Sequence, residues 1–226
     1  MSDLIDATEM YLRTVYELEE EGIRPIRARL VERLHLSAPA VSETVARLEK
    51  DGLMHLNDDR TVELTAAGRE LAISVMRKHR LAERLLVDVI GLRWDLVHAE
   101  ACRWEHVISD EVEQRLVTVL DSPTHDAHGN PIPGLGPASK PSDLLSLADA
   151  AAEDAPVVVD RISEHLQADV AAIARLYTQG LLPGTRLMAH TADGEVVVET
   201  ADKTLRLGVD TAKFVYVRPD NVGATD

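Results

Sequence analysis

In the first 64 residues, the predicted helices and strands follow one another in an order that few folds have. Amphipathic periodicity predicts three helices, and two apolar runs on either side of a polar turn predict a β-hairpin. The predicted helices are 3–21, 27–34 and 37–50, and the predicted strands are 53–56 and 61–64. This order predicts a winged helix-turn-helix, with a generic three-helix bundle carrying a hairpin as the alternative.

The third helix, residues 37–50, has the surface of a helix that enters a DNA major groove. Its apolar residues form one inward stripe, which leaves small, polar and basic side chains facing outward. Ser37 suits the N-cap position, and Pro39 fits the first turn because an amide hydrogen there would have no helical partner. The residues predicted to contact DNA are Arg27, Ala28, Ser37, Pro39, Ala40, Ser42, Glu43, Arg47 and Lys50.

The charge of the chain limits how it can bind DNA. The net charge of −15 excludes a protein that coats nucleic acid without specificity, because the phosphate backbone dominates non-specific affinity. Residues 24–50 have the opposite sign of charge from the whole chain, since six basic residues outnumber three acidic ones there. A small basic patch on an acidic body predicts DNA binding that is specific and that needs a cation.

The rest of the chain divides into three segments. A helical pattern over 65–120 predicts a dimerisation unit, the Pro- and Gly-rich residues 121–156 predict a linker, and short β-patterned runs around one helix predict a small β-barrel. The fold class is thus mainly α with small β elements. The predicted domains are 1–64 (DNA binding), 65–140 (metal binding and dimerisation), 141–155 (linker) and 156–226 (C-terminal domain).

Composition also restricts the compartment. The single cysteine excludes an internal disulfide framework, and the N-terminus is acidic where a secretory signal would be basic. No uninterrupted apolar run approaches the roughly 20 residues that span a membrane. We therefore expect a soluble, cytoplasmic protein with no membrane partner.

Two groups of side chains have the spacing of metal ligands. Cys102, Glu105 and His106 stand at i, i+3 and i+4, so on a helix they share one face, and their mixed donors suit a first-row divalent transition metal. His79 and Glu83 stand at i and i+4, and His98 begins the next predicted helix. The alternatives are a small buried cysteine beside a solvated Glu–His pair, and an ordinary exposed His–Glu pair.

Four motifs resemble the diphtheria toxin repressor family of iron- and manganese-dependent transcriptional regulators. They are TEMYLRT at 8–14, VMRKHRLAERLL at 75–86, the stretch 98–106 and GNPIPG at 129–134. They occur in the family's order and cover residues 1 to about 136 closely, and the remainder matches more loosely. The resemblance implies a homodimeric, metal-activated repressor of metal-homeostasis genes. Such a protein binds double-stranded operator DNA, is not an enzyme, and ends in an SH3-like β-barrel.

The resemblance also implies two metal sites in each subunit, occupied by Fe(II) or Mn(II), with Co(II), Ni(II) or Zn(II) able to substitute in vitro. The primary site would use Met10, Cys102, Glu105 and His106, with the Cys102 carbonyl able to add an oxygen. The ancillary site would use His79, Glu83 and His98, completed by Glu164 and Gln167 of the C-terminal domain. Because Met10 lies about 90 residues before Cys102, an ion shared by both would clamp the DNA-binding helices to the dimer core.

The recognition helix departs from the family pattern. Glu43 stands where the family usually has glutamine, Ala38 where it has glycine, and Ala40 where it has threonine. A carboxylate in the groove repels phosphate and accepts a hydrogen bond only from a donor such as the cytosine amino group. Ser37 and Pro39, which in the family touch thymine methyl groups, are retained. We therefore expect an operator that is related to the family's operators but not identical.

Other functions remain open from the residues alone. The cysteine and methionine ligands resemble the iron-responsive branch of the family, but the donors accept either metal. A winged-helix regulator of an organic effector with structural metals would not explain two full ligand sets. A metallohydrolase would use the same histidines and glutamates, but both sites already look saturated by protein donors and no nucleophile elbow is evident.

Overall fold

The computed structural model of the chain describes residues 2–136 and 144–220, with side chains described from residue 7 onward. The predicted domain boundary between residues 140 and 141, and the predicted end of the last domain at 226, lie outside the described residues. Within the described ranges, no helix is long and apolar enough to cross a membrane.

An N-terminal unit of three helices and a hairpin packs around one apolar core. Its elements are α1 (Ser2–Glu20), α2 (Arg27–Leu34), α3 (Ala38–Lys50), β1 (Met54–Leu56) and β2 (Val62–Leu64). Helix α2 ends where His35 adopts a left-handed conformation, and α3 begins where the Ser37 hydroxyl accepts a hydrogen bond from the Ala40 amide. The strands are antiparallel, with Met54 opposite Leu64. The predicted winged helix-turn-helix is confirmed.

A middle unit of helices follows the hairpin. It consists of α4 (Ala66–Leu85), a π-helical turn (Leu86–Ile90), α5 (Val97–Trp104) and α6 (Asp110–Val119). The Thr65 hydroxyl caps α4 by accepting a hydrogen bond from the Gly68 amide, and Gly91 ends the π-helical turn in a left-handed conformation. Ala82 of α4 and Val97 of α5 belong to one buried apolar cluster. The C-terminal half of α4 therefore lies directly against α5.

The C-terminal unit is an antiparallel sheet with short helices. Its strands are β3 (Leu145–Ser146), β4 (Pro156–Ile162), β5 (Arg186–Ala192), β6 (Glu195–Glu199), β7 (Thr204–Gly208) and β8 (Val215–Pro219), and its helices are α7 (Leu147–Ala150), α8 (Glu164–Gln167), α9 (Val170–Gln179) and α10 (Val209–Ala212). The strand order is β3-β8-β4-β5-β6-β7. Alternate residues of these strands fill one apolar core. This confirms the predicted fold class, mainly helical with a small β unit at the end.

The segment predicted as a linker is more ordered than its composition suggested. Strand β3 pairs with β8, and Leu147 of α7 is fully buried in the core of the C-terminal unit. The predicted linker 141–155 therefore includes part of that unit at residues 145–150. Earlier in the segment, Ile132 is fully buried and its amide donates to the carbonyl of Thr124. A few apolar residues and backbone pairing order the chain despite its prolines and glycines.

The GNPIPG peptide brings the C-terminal unit against the middle unit. Gly129 has a φ of +91°, and a Cβ there would lie 2.2 Å from the carbonyl oxygen of Asp160 on β4, so only glycine fits. The Ile162 amide donates to the His128 carbonyl, and the Trp94 indole donates to the carbonyl of Ala127. These contacts place the start of α8 beside α4 and α5.

Candidate metal centres and DNA-facing surface

Four of the predicted ancillary ligands converge on one buried point. His79 and Glu83 lie one turn apart on α4, His98 lies on α5, and Glu164 is the first residue of α8. The Glu83 Oε1 atom is 3.1 Å from His79 Nε2 and 3.3 Å from His98 Nδ1, and the Glu164 Oε2 atom is 3.3 Å from each of the same nitrogens. Their candidate ligand atoms lie within 4.8 Å of one another, and all four residues are buried. Two imidazoles and two carboxylates fit a divalent transition-metal ion.

The fifth predicted ancillary ligand, Gln167, lies on the same short helix as Glu164. It is buried, and its Nε2 atom donates to the carbonyl of Ile162. Among the described residues its Oε1 atom has no hydrogen-bond partner. Buried polar atoms usually have a hydrogen-bond partner. A buried amide oxygen that lacks one is therefore available as a metal ligand.

The predicted primary ligands surround an arginine that sequence reasoning did not select. Arg13 of α1 places its Nη1 atom 2.9 and 2.7 Å from the two carboxylate oxygens of Glu105, and 3.4 Å from Cys102 Sγ. His106 lies 3.2 Å from Glu105 through Nε2, and its Nδ1 is 2.5 Å from a carboxylate oxygen of Glu9. The guanidinium thus occupies the position among these donors where a cation would be needed.

Met10 is placed on α1, three residues before Arg13. Met10, Arg13 and Cys102 line one cavity of about 910 Å³ between α1 and the C-terminal unit. The structure therefore brings the methionine to the same opening as the thiol, while Glu105 and His106 pair with Arg13 and Glu9. Arg13 lies on the same helix as Met10, but the 92 residues that separate it from Glu105 hide this pairing in the sequence.

The two ligand sets are in direct contact. His79 Nδ1 is 2.6 Å from Glu105 Oε2, while its other ring nitrogen faces Glu83 and Glu164. Cys102 Sγ is 3.6 Å from His98 Nε2. His79 and His98 therefore belong to both groups, and the predicted division into separate primary and ancillary sets is less sharp in the structure than in the sequence.

Electrostatics favour the metal-binding form of the thiol. Burial alone would raise the pKa of Cys102, but the Arg13 guanidinium and the imidazoles of His79 and His98 lower that pKa to about 4. Burial likewise opposes ionisation of Glu105, yet Arg13 and His79 hold its pKa at about 2. Thiolate and carboxylate are the forms that ligate metals. Arg13 supplies compensating positive charge, at 2.7 Å from Glu105 and 3.4 Å from Cys102.

A further cluster, which was not predicted from the sequence, adjoins the ancillary set. Glu83, Asp126 and His128 are all buried, and their candidate ligand atoms lie within 4.8 Å of one another. Arg80 lies between this cluster and the C-terminal unit, 3.0 Å from Glu164 and 3.8 Å from Asp126. The signal was an Asp-x-His pair directly before the GNPIPG peptide, within residues attributed to a linker.

The predicted DNA-contacting residues lie on and beside α3. Ser37, Pro39, Glu43 and Lys50 are exposed, as is Ala28 of α2, whereas Arg27, Ala40, Ser42 and Arg47 are half-buried. Arg47 is held at 3.4 Å from the Thr8 hydroxyl and from a carboxylate oxygen of Asp51. The contact with Thr8 joins α3 to α1, which also carries Met10 and Arg13. The surface of α3 is thus linked through one helix to the candidate metal ligands.

Comparisons with known proteins point to one family. The family model described as "Iron dependent repressor, N-terminal DNA binding domain" matches residues 3–62. The model described as "Iron dependent repressor, metal binding and dimerisation domain" matches residues 65–134. The first range spans the winged helix-turn-helix, and the second contains α4, α5 and α6.

Individual relatives agree with these matches. The iron-dependent repressor IdeR of Mycobacterium tuberculosis (strain ATCC 25618 / H37Rv) is 54% identical over 202 residues, which cover 86% of this chain and 88% of that protein. The diphtheria toxin repressor of Corynebacterium efficiens is 51% identical over 223 residues, covering 96% and 97%. A solved structure of a manganese-dependent transcriptional repressor in complex with manganese has a TM-score of 0.80 and 31% identity, covering 94% of this chain and 99% of that one.

Proposed function

Because this chain belongs to the iron-dependent repressor family, as its four motifs predicted, we propose that it binds operator DNA as a homodimer when Fe(II) or Mn(II) occupies two sites in each subunit. The observation that carries the proposal is the convergence of His79, Glu83, His98 and Glu164 from three separate elements on one buried point. The manganese-bound neighbour supports Mn(II) and the iron-dependent relatives support Fe(II), so both metals stay in the proposal.

The ancillary site would be held by His79, Glu83, His98, Glu164 and Gln167. A bound divalent ion supplies positive charge and directional bonds to these donors. Without it, Glu83 and Glu164 depend on histidine protons and on Arg80 for compensation. Glu164 belongs to the C-terminal unit, so its bond to the shared ion would attach that unit to α4 and α5.

The primary site would be held by Met10, Cys102, Glu105 and His106. In the ion-free arrangement the Arg13 guanidinium neutralises Glu105 and Cys102. Arg13 and Met10 are three residues apart on α1, so exchange of the guanidinium for a metal ion would shift which part of α1 faces α5. The position of α1 affects α3 through the contact between Thr8 and Arg47. We propose that this exchange adjusts the recognition helices for DNA.

An apolar surface beyond the end of α4 supports the proposed homodimer. Val89 and Ile90 are 59% and 55% exposed, and Val107, which follows α5, is 78% exposed. Val89 and Ile90 follow α4 and Val107 follows α5, the two helices that one apolar cluster joins. A two-fold axis through this surface would relate two copies of α3, and paired half-sites require two such helices. We keep the proposed domains 1–64 and 65–140, and we extend the proposed C-terminal domain 156–226 to include residues 145–150, which pack with it.

The same residues favour regulation over catalysis. The ancillary donors are buried protein side chains that face one another, which leaves little room for a substrate at the ion. The family consists of transcriptional repressors. We therefore propose that the bound ions control DNA affinity and perform no reaction.

Selection of DNA from a random-sequence pool in the presence of Mn(II) would test the proposal without a known operator. The selected duplex is then titrated with protein in chelator, in Mn(II), and in Fe(II) under anaerobic conditions, with fluorescence anisotropy as the readout. We expect binding in either metal and release by chelator. Binding that is indifferent to metal would contradict the proposal and favour regulation by an organic effector.

A further inference from the structure

The cavity of about 910 Å³ between α1 and the C-terminal unit reaches donors of both proposed metal sites. Its wall includes Met10 and Cys102 of the primary set and His98 and Glu164 of the ancillary set. The rest of the wall comes from α1, the end of α2 and the residues around α8, α9 and α10. An ion inside this cavity is therefore in contact with candidate ligands of both sites.

The other donors of the ancillary set lie behind this wall. His79 and Glu83 are fully buried, and His98 and Glu164 are 7% and 4% exposed. A second space adjoins Glu164 beside Arg80, but its volume is about 10 Å³. A space of that size holds one water at most. A divalent ion in water carries a shell of about six waters, so the small space excludes it, whereas the large cavity has room for it.

The rim of the cavity, meaning the exposed residues that line it, carries two carboxylates. Asp169 and Asp210 both belong to this rim. Asp169 is held in place as the N-cap of α9, where its Oδ1 atom accepts a hydrogen bond from the Ala172 amide at 3.0 Å. Arg33 lies on the same wall, but its guanidinium is paired with Glu21 at 2.5 Å. Negative groups at the opening of a cleft concentrate cations and raise their association rate.

Small side chains occupy the same rim. Ala168 and Ala171, just before and within α9, line the cavity and are exposed. Neither belongs to the apolar core of the C-terminal unit. A large side chain at Ala171 would therefore fill part of the opening without disturbing that core.

We propose that hydrated divalent ions reach both metal sites through this cavity. Asp169 and Asp210 attract the ion to the rim, and the alanines leave the opening wide enough for it. The inference rests on the proposed function, because it concerns how the two proposed sites are filled.

His98 connects the cavity to the deeper donors. Its Nε2 atom is 3.6 Å from Cys102 Sγ, and its Nδ1 atom is 3.3 Å from carboxylate oxygens of Glu83 and Glu164. One ring nitrogen thus faces the thiol at the cavity wall, and the other faces the buried carboxylates. An ion on its way to the ancillary site passes the thiol of the primary site.

Stopped-flow binding of Co(II) to the full-length protein tests the route. Co(II) bound to the Cys102 thiolate absorbs in the near ultraviolet, so the signal reports arrival at the primary site. We expect Ala171→Trp to slow association by about tenfold or more. Dissociation should slow by the same factor, because an obstruction on the route leaves the bound state, and hence the Kd, unchanged. Ala152→Trp is the matched control, because Ala152 is exposed in the same unit and does not line the cavity.

The rim carboxylates have a separate test. Asp169→Asn keeps a residue that caps helices well. Combined with Asp210→Asn, it should slow Co(II) association by about tenfold at low ionic strength and much less at high ionic strength, where salt screens exposed charges. Asp202→Asn is the control, because Asp202 is exposed in the same unit and lies off the cavity wall.

Circular dichroism establishes that each variant is folded. An unchanged association rate in Ala171→Trp would overturn the route while leaving the proposed repressor intact. Weaker binding that comes only from faster dissociation would do the same, because it indicates damage to a site. An unchanged rate in the double carboxylate variant at low ionic strength would overturn the part assigned to Asp169 and Asp210. Absence of Co(II) binding to the unchanged protein would instead contradict the proposed function.

Discussion

At the scale of single residues, Arg13 is the side chain whose role the sequence concealed. It is the one basic residue of α1, and in the fold it is 96% buried and contacts Glu17, Glu105 and Cys102. An ion pair this far from water is strongly coupled to whatever else can neutralise Glu105. A metal ion at the proposed primary site would therefore compete with Arg13 for the same anionic donors.

Replacement of Arg13 should separate stability from metal affinity. Arg13→Gln leaves Glu105 buried without its cation, so in chelator we expect a loss of about 3–5 kcal/mol in the free energy of unfolding. In Mn(II) most of this loss should be recovered, because the ion replaces the guanidinium, and apparent Mn(II) affinity should rise. Denaturant unfolding with and without Mn(II) measures both effects. Arg69→Gln, which removes a more exposed ion pair with Glu19, is the control. An equal loss of unfolding free energy in chelator and in Mn(II) would contradict competition between Arg13 and the metal ion.

The thiol should matter more for DNA binding than the amide of Gln167. Cys102→Ala removes the sulfur donor and the negative charge that faces Arg13. We expect at least about a 100-fold loss of metal-dependent affinity for the selected duplex, since the effect of losing a ligand should exceed the 10–100-fold typical of losing a residue that only supports one. Gln167→Ala should cost less than this. If the two variants lose affinity equally in Mn(II) titrations read by anisotropy, our ranking of the two sites is wrong.

At the scale of elements, sequence patterns predicted the helices well because their signals are local. The N-cap Ser37 and the buried stripe of Val41, Val45 and Leu48 specify α3 without reference to the rest of the chain. The order inside residues 121–150 could not be predicted in this way. Leu147 is buried in a core built from strands and helices later in the chain, and β8, about 70 residues later, pairs with the strand that precedes it.

Glu43 gives α3 a testable specificity. It is exposed on the helix proposed to enter the major groove, where a carboxylate repels phosphate and accepts hydrogen bonds only. Glu43→Gln should tighten binding to non-selected duplexes and shift the preferred base at one position of each half-site, an effect of about 1–3 kcal/mol. Repeated selection from the random pool measures this shift. Glu63→Gln, an exposed carboxylate on the hairpin, should leave the selected sequence unchanged.

The surface at the end of α4 should control oligomeric state. Ile90→Glu introduces charge at an exposed apolar residue of the proposed interface, beside the exposed Val89, so we expect a monomer with a large loss of DNA affinity. Leu71→Glu is a matched control, because Leu71 is 40% exposed elsewhere on α4. Light scattering after size-exclusion chromatography gives the mass of each variant. A dimer in Ile90→Glu would exclude this surface as the interface.

At the scale of the whole molecule, the candidate sites are assembled from parts that no local pattern connects. His79 and Glu83 have a helical spacing that the sequence displays, but Glu164 lies 81 residues after Glu83 and was assigned only through the family resemblance. Arg13 lies inside the TEMYLRT motif, but that motif does not indicate its pairing with Glu105, and Asp126 and His128 had no periodic pattern to identify them. Their contacts appear only when α1, α4 and the GNPIPG peptide are packed together.

Glu164 should therefore transmit metal occupancy to the C-terminal unit. It contacts His79, His98 and Arg80 from α8, so Glu164→Gln keeps the shape of the side chain but removes the charge that a shared ion would bind. Mn(II) at about 100 times its Kd should stabilise the unchanged protein by about 2.7 kcal/mol per site, and so raise Tm by about 5–11 °C for each site at roughly 2–4 °C per kcal/mol.

In Glu164→Gln the part of this increase that comes from the ancillary site should disappear, while the part from Met10, Cys102, Glu105 and His106 should persist. Differential scanning calorimetry in chelator and in Mn(II) measures both parts. Glu153→Gln, which changes an exposed carboxylate in the same unit, should retain the full increase. A full increase in Glu164→Gln would mean that the C-terminal unit contacts α4 and α5 without sharing an ion with them. The DNA response to metal would then depend on α1 and α5 alone.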